Sequence, residues 1–134
     1  MVALALNPGK VSLLREIARD EGISEKYLGQ IVIPLRTSGL ITSQRGAHGG
    51  YSLGRPAAAI TVLEVVEAVE GPVAGEPEPS PDADPPAATS TGAAADVVWK
   101  KLHDVVSAEL SSWTVQALAD AARELGPPVE NYVI

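Results

Sequence analysis

The spacing of apolar residues changes along this chain, and each change marks an element. Leu13, Leu14, Ile17 and Ala18 fall on one face of a helix over residues 12–20, with Ser12 as its expected cap. Gly22 is placed to end it, since a left-handed conformation costs glycine little. Ser24 is the expected N-cap of a second helix whose core stripe is Leu28, Ile31, Val32 and Leu35. Pro34 lies inside that helix, removes a backbone donor, and should bend or loosen the preceding turn. The helix should close near Ser38 and Gly39. Residues 40–44 and 51–53 then read as two antiparallel strands. Between them stands R-G-A-H-G-G, residues 45–50, whose three glycines permit a tight turn and close approach to another surface.

The second half returns to helical spacing. Thr61 and Glu64 form a capping-box pattern, and Ile60 can staple against Val65. This helix should run to about Val69 and stop at Gly71-Pro72. Residues 72–95 are rich in Pro, Ala, Asp, Glu, Ser and Thr, with almost no bulky side chain, and read as a flexible loop. A long helix is expected over roughly 95–111, where Val98, Leu102, Val105, Val106, Leu110 and Trp113 recur at helical spacing. Thr114 should cap a last helix over 115–125, ended by Gly126-Pro127. The tail P-P-V-E-N-Y-V-I is apolar enough to pack on something. At the other end, M-V-A-L-A-L-N before Pro8-Gly9 reads as the last turns of a helix whose beginning is missing.

A helix pair followed directly by a hairpin is the layout of a winged helix-turn-helix. The expected fold is therefore mainly α with a small β-hairpin, plus a long C-terminal dimerisation helix. Residues 1–71 form the expected winged domain, 72–95 the loop, and 96–134 the dimerisation helix and C-terminal helix.

Composition narrows the chemistry. Hydrophobic residues make up 46% of the 134, but there is no Phe and much of that share is alanine, which buries little area. Such a core gains from a partner subunit. Cysteine is absent, which removes disulfides, thiol catalysis and thiolate cluster ligation. The only histidines are His48 and His103, too few for a conventional zinc site without carboxylates. His103 reads as a solvated or interfacial helix residue. No nucleophile–base pair or metal-spaced histidine set is visible, so an enzyme is not expected. No apolar run is long enough to span a bilayer, and no secretory signal is visible, so a cytoplasmic location is the default expectation.

The net charge of −7 argues superficially against nucleic acid. Its distribution reverses the argument: residues 1–60 carry +3, and residues 61–134 carry −10. The local field, not the total, decides phosphate binding. The basic half also holds the second helix and the hairpin. A helix fits the major groove with its first turns toward the base edges, and Ser24, Glu25, Lys26, Tyr27 and Gln30 occupy those turns. Gln30 can read adenine through two hydrogen bonds, and Ser24 or Tyr27 can hold a phosphate. Arg45 and His48 sit at the hairpin tip, where an arginine suits a narrow minor groove. Arg36 and Arg55 flank the region as candidate phosphate contacts. The plainer reading is a solvated helix face beside an ordinary glycine turn. Tyr51 is expected to pack its ring beneath the hairpin. On the long helix, Val98, Leu102, Val105, Val106, Leu110 and Trp113 are the expected dimer interface, and a two-fold pair of wings would suit a palindromic operator.

The runs S-E-K-Y-L-G-Q-I (24–31), P-L-R-T-S-G-L-I (34–41) and R-G-A-H-G-G-Y (45–51) resemble the IscR/NsrR/CymR-type family of dimeric bacterial winged-helix transcription regulators. The similarity continues through I-T-V-L-E-V-V-E-A-V-E-G-P (60–72) and weakly through W-K-K-L (99–102). It implies a sequence-specific, double-stranded-DNA-binding homodimer with an effector of unknown identity; the expected mechanism is repression by occupying a palindromic operator, with activation as the alternative. It also implies a longer first helix than the one here. Gly29 stands where many relatives carry a glutamate that helps choose the DNA sequence. Many relatives hold an iron–sulfur cluster through three loop cysteines. Here Ala87 and Ala93 have the five-residue gap seen between such cysteines, so a cluster would require that cysteines had been replaced. As written, the chain has no cofactor. The alternatives are a winged module that binds protein, or a cluster-free variant answering to a small molecule or partner protein.

Overall fold

The computed structural model describes residues 1–73 and 90–126. A short α1, Val2–Ala5, leads to α2, Leu14–Asp20, and α3, Glu25–Thr37. The hairpin follows as β1, Ile41–Gln44, and β2, Gly50–Leu53, and a 3-10 turn, Ala57–Ala59, leads into α4, Val62–Glu70. The long α5, Ser90–Ser112, and α6, Val115–Leu125, complete the order.

The helix-turn-helix is set by local chemistry at each end. Gly22 takes φ +66°, and the Ile23 N–H reaches the Ala18 carbonyl at 2.9 Å, so α2 ends in a left-handed cap. Ser24 then opens α3, its Oγ accepting from the Tyr27 N–H at 3.0 Å. At the far end Gly39 is left-handed, and the Leu40 N–H donates to the Leu35 carbonyl at 3.0 Å. That closure drops Leu40, almost fully buried, into the core and aims the chain into β1. Helix α3 continues through Pro34, because the turns on both sides are held: Val32 and Leu35 are buried, and the hydroxyls of Thr37 and Ser38 donate back to the Ile33 and Pro34 carbonyls.

Strands β1 and β2 pair antiparallel, with Ile41 opposite Leu53 and Gln44 opposite Gly50. A hydroxyl pair, Thr42 Oγ1 and Ser52 Oγ at 3.0 Å, adds a side-chain rung on the exposed face. Ser12 does not cap α2. Leu13 occupies the N-cap position, and Ser12 exchanges two backbone hydrogen bonds with Tyr51, each 2.8 Å. The segment before α2 thus becomes a third rung beside the wing, a long-range pairing that displaces the local cap.

Thr61 and Glu64 close the expected capping box of α4, and Thr114 caps α6. The two caps lie side by side: the Val62 N–H donates to the Trp113 carbonyl and the Val115 N–H to the Ile60 carbonyl, both at 2.9 Å. This bridge brings α6 against α1 and the 3-10 turn, and Val115 and Ala119 enter one core with Leu4, Ala5, Val32, Leu35, Leu40, Ile41 and Ile60. Ile60 is fully buried there and Val65 packs on the same cluster, in keeping with the staple. Helix α6, which the sequence placed in the same segment as the long helix, packs on α1 and the 3-10 turn.

Helix α5 begins at Ser90, five residues earlier than expected, so residues 90–95, assigned to the loop, are helical. The remainder of that loop, apart from 72 and 73, and the tail from Pro127 lie outside the described residues. Helix α5 packs on α4, and the imidazole Nδ1 of His103 is hydrogen-bonded to the Val73 carbonyl just past α4. His103 is half-buried and not fully solvated, and it links α5 to the chain just past α4.

Candidate nucleic-acid interface

The exposed face of α3 is built from its spacing. Val32 and Leu35 are buried and Leu28 and Ile31 pack partly on the core, which leaves Lys26, Gln30 and Ile33 in a row facing outward. Tyr27 flanks that row on one side, 55% exposed, and Glu25 and Arg36 flank it on the other. Ser24 accepts the Tyr27 N–H but keeps its own hydroxyl proton available for a phosphate. The N-terminal amides of α3 add a positive end to the helix, partly offset by Glu25.

Arg45 and His48 project from the turn of the hairpin, both exposed. Among the described residues, Lys26, Gln30, Arg36, Arg45 and His48 have no side-chain hydrogen bond or ion pair, so their polar groups are free for a ligand. Glycine geometry shapes the hairpin from inside. A Cβ on Gly50 would lie 2.5 Å from the Ser12 carbonyl oxygen, and one on Gly54 would lie 2.2 Å from that of Gly39. The hairpin is therefore seated directly on the backbone before α2 and after α3, and its tip is held in fixed relation to α3.

Arg55, expected to contact phosphate, is exposed but already paired within the chain: Nη2 pairs with Glu64 Oε1 at 2.7 Å and Nη1 donates to the Ala59 carbonyl at 3.2 Å. The Thr61 backbone N–H and this guanidinium together hold the Glu64 carboxyl below the usual glutamate range. Conversely, Lys10 was not singled out. The Ser12–Tyr51 pairing brings it to the wing, where it shares a depression with Glu16, Ala47, His48 and Gly49. No local pattern marks Lys10; only the long-range pairing places it there. Ile33 was also passed over, because it falls off the apolar stripe of its helix.

Of the six apolar positions expected on the long helix, five lie on α5 and Trp113 falls just past its end at Ser112. Val98, Leu102, Val105 and Trp113 are exposed, whereas Val106 and Leu110 are half-buried within the subunit. Trp113 is steadied by a hydrogen bond from Nε1 to Glu109 Oε1 at 3.1 Å.

Residues 1–121 match the profile of the Rrf2 family, described as iron-dependent transcriptional regulators. The chain belongs to the Rrf2 family. It is 38% identical over 120 residues to the HTH-type transcriptional regulator CymR of Bacillus subtilis, covering 89% of this chain and 80% of CymR. It is 44% identical over 70 residues to IscR of Cereibacter sphaeroides, a match that spans 52% of this chain and only 45% of that protein. Among solved structures, that of B. subtilis CymR, the global cysteine regulator of that bacterium, superposes with a TM-score of 0.71 at 36% identity, covering 90% of this chain and 88% of that one. The structure of T. potens IscR gives 0.69 at 31% identity, covering 92% and 80%. Family and fold are those of winged-helix DNA-binding transcriptional regulators, not of enzymes.

The family description implies iron, and this Rrf2 chain does not supply the donors for a thiolate-held cluster. It has no cysteine, and among the described residues no three His, Asp or Glu side chains gather as a metal site. Ala93 lies within α5 and offers a methyl group, while Ala87 lies outside the described residues. Among the described residues no helix is long and apolar enough to cross a membrane.

Proposed function

We propose that this chain acts as a homodimer that binds a two-fold symmetric operator and represses transcription by occupying it. Helix α3 reads the major groove through Lys26, Gln30 and Tyr27, with Ser24 and Arg36 on phosphates, and the wing places Arg45 and His48 in the adjoining minor groove. The observation that carries this reading is the joint exposure of unpaired polar groups on α3 and on the wing tip, held together by the seat of the hairpin on Ser12 and Gly39. The partner subunit covers Val98, Leu102 and Val105 of α5 and Trp113 just past its end, an apolar strip that a single chain leaves in water. Two wings related by that contact match two half-sites about one helical turn of DNA apart. With no cysteine to ligate a cluster, the signal is a small molecule or a partner protein that resets α5 and, through it, the spacing of the wings.

Selection of bound fragments from a random duplex pool tests the reading. An enriched sequence with two-fold symmetry, bound with an affinity that falls steeply with salt, supports it. Recovery of no sequence above background, at low salt and with a dimeric preparation, would sink it.

A further inference from the structure

Ile33 is 58% exposed in the middle of α3, although the helix buries its other aliphatic residues at least in part. It lies on the same ridge as Lys26, Gln30 and Thr37, opposite the buried Val32 and Leu35. More than half of its surface stays open to solvent. Gly29, one turn earlier, offers no side chain to cover it. Thr37, one turn later, folds its hydroxyl back onto the Ile33 carbonyl at 3.0 Å. A β-branched residue gains nothing from helix propensity at an exposed position. Its apolar surface is useful only if something apolar meets it.

Within the major groove, the apolar feature on a base edge is the C5-methyl of thymine. The neighbouring Gln30 amide has the donor–acceptor pair that matches adenine N6 and N7. The two side chains together fit a short A·T-containing step. We infer that Ile33 is a specificity-determining residue that packs on the C5-methyl of one thymine in each half-site, beside the base read by Gln30. This rests on the DNA-reading role of α3 proposed above.

Deoxyuridine differs from thymidine only by that methyl, so it isolates the contact. Once an operator has been selected, each thymine is replaced in turn by deoxyuridine, and binding is measured for the full chain and for Ile33→Ala. The expected result is one thymine per half-site whose replacement weakens wild-type binding about fourfold, the worth of one buried methyl-sized group. Ile33→Ala should bind the two duplexes equally at that position, and Gln30→Ala should still distinguish them. Specific operator binding with no thymine coupled to Ile33 overturns this inference alone. Failure to select any duplex overturns the DNA-reading role and this inference with it. Because Ile33 is exposed, circular dichroism and melting of Ile33→Ala should match wild type.

Discussion

Arg55 Nη2 lies 2.7 Å from Glu64 Oε1, and this contact ties the end of the wing to the first turn of α4. Arg55 also reaches the Ala59 carbonyl, so the guanidinium spans the 3-10 turn that separates the two elements. Its neighbour in sequence logic, Arg45, has no such partner among the described residues. The two arginines should therefore separate in a salt titration of operator binding. Arg45→Ala is expected to reduce the slope of log affinity against log salt by about 1, as for loss of one phosphate-proximal charge. Arg55→Ala should leave that slope unchanged and instead lower stability by up to about 1 kcal/mol, the usual range of a partly exposed ion pair. A reduced slope for Arg55→Ala would return it to the DNA contacts.

The same carboxylate makes stability depend on pH in a defined direction. Glu64 is held below its ordinary value first by the Thr61 backbone N–H and then by Arg55. The folded state therefore binds fewer protons than the unfolded state across that interval, and stability rises with pH. The contribution is complete above the unfolded glutamate pKa of about 4.3 and disappears as pH falls through the lower folded value. With 41% of each side chain exposed, solvent screens the pair and the effect is modest. Urea midpoints measured from pH 6 down to pH 3 should fall less for Glu64→Gln than for wild type. Parallel curves would show that Glu64 titrates normally.

Much of this architecture was legible because its determinants are local. Ser24, Thr61 and Thr114 each cap the helix they precede, and Gly22, Gly39, Gly71 and Gly126 each take positive φ just past a helix end. What was hidden depends on partners distant in sequence. Ser12 has the composition of a cap, yet Tyr51, thirty-nine positions later, claims its backbone. Arg55 resembles a free cation until the carboxylate of a capping box swings toward it. The stripe on α5 reads as one face, but Val106 and Leu110 are partly covered within the subunit while Val98 and Val105 are bare. Periodicity locates an apolar face without saying which element covers it.

Gly50 shows how narrowly the wing is seated. It has φ +150°, and an added Cβ would stand 2.5 Å from the Ser12 oxygen and 2.9 Å from Val11 Cγ1. Backbone, not a flexible side-chain end, is the first obstacle, so the strand must move. Gly50→Ala is expected to cost about 1–3 kcal/mol, the range for a residue forced into a disfavoured conformation. The Tyr51 amide, which donates to Ser12 at 2.8 Å, should lose hydrogen-exchange protection ahead of the α3 amides. Unaltered protection at Tyr51 would mean that the hairpin accommodates the methyl group without leaving its seat.

The apolar strip of α5 allows association to be separated from folding. Leu102 is 45% and Val105 60% exposed, and neither belongs to the core cluster that joins α1, α3, β1 and α6. A charge at these positions costs the isolated subunit little, because it remains in water. In a dimer that covers the strip, it would bury an unpaired charge at the contact. The double variant Leu102→Glu, Val105→Glu should therefore sediment as a monomer while keeping wild-type helicity. Operator affinity should fall at least tenfold, since one wing then binds without the second tethered to it. A dimer that persists through both substitutions would place the subunit contact elsewhere. A monomer that binds the full operator as tightly as wild type would separate DNA recognition from dimerisation.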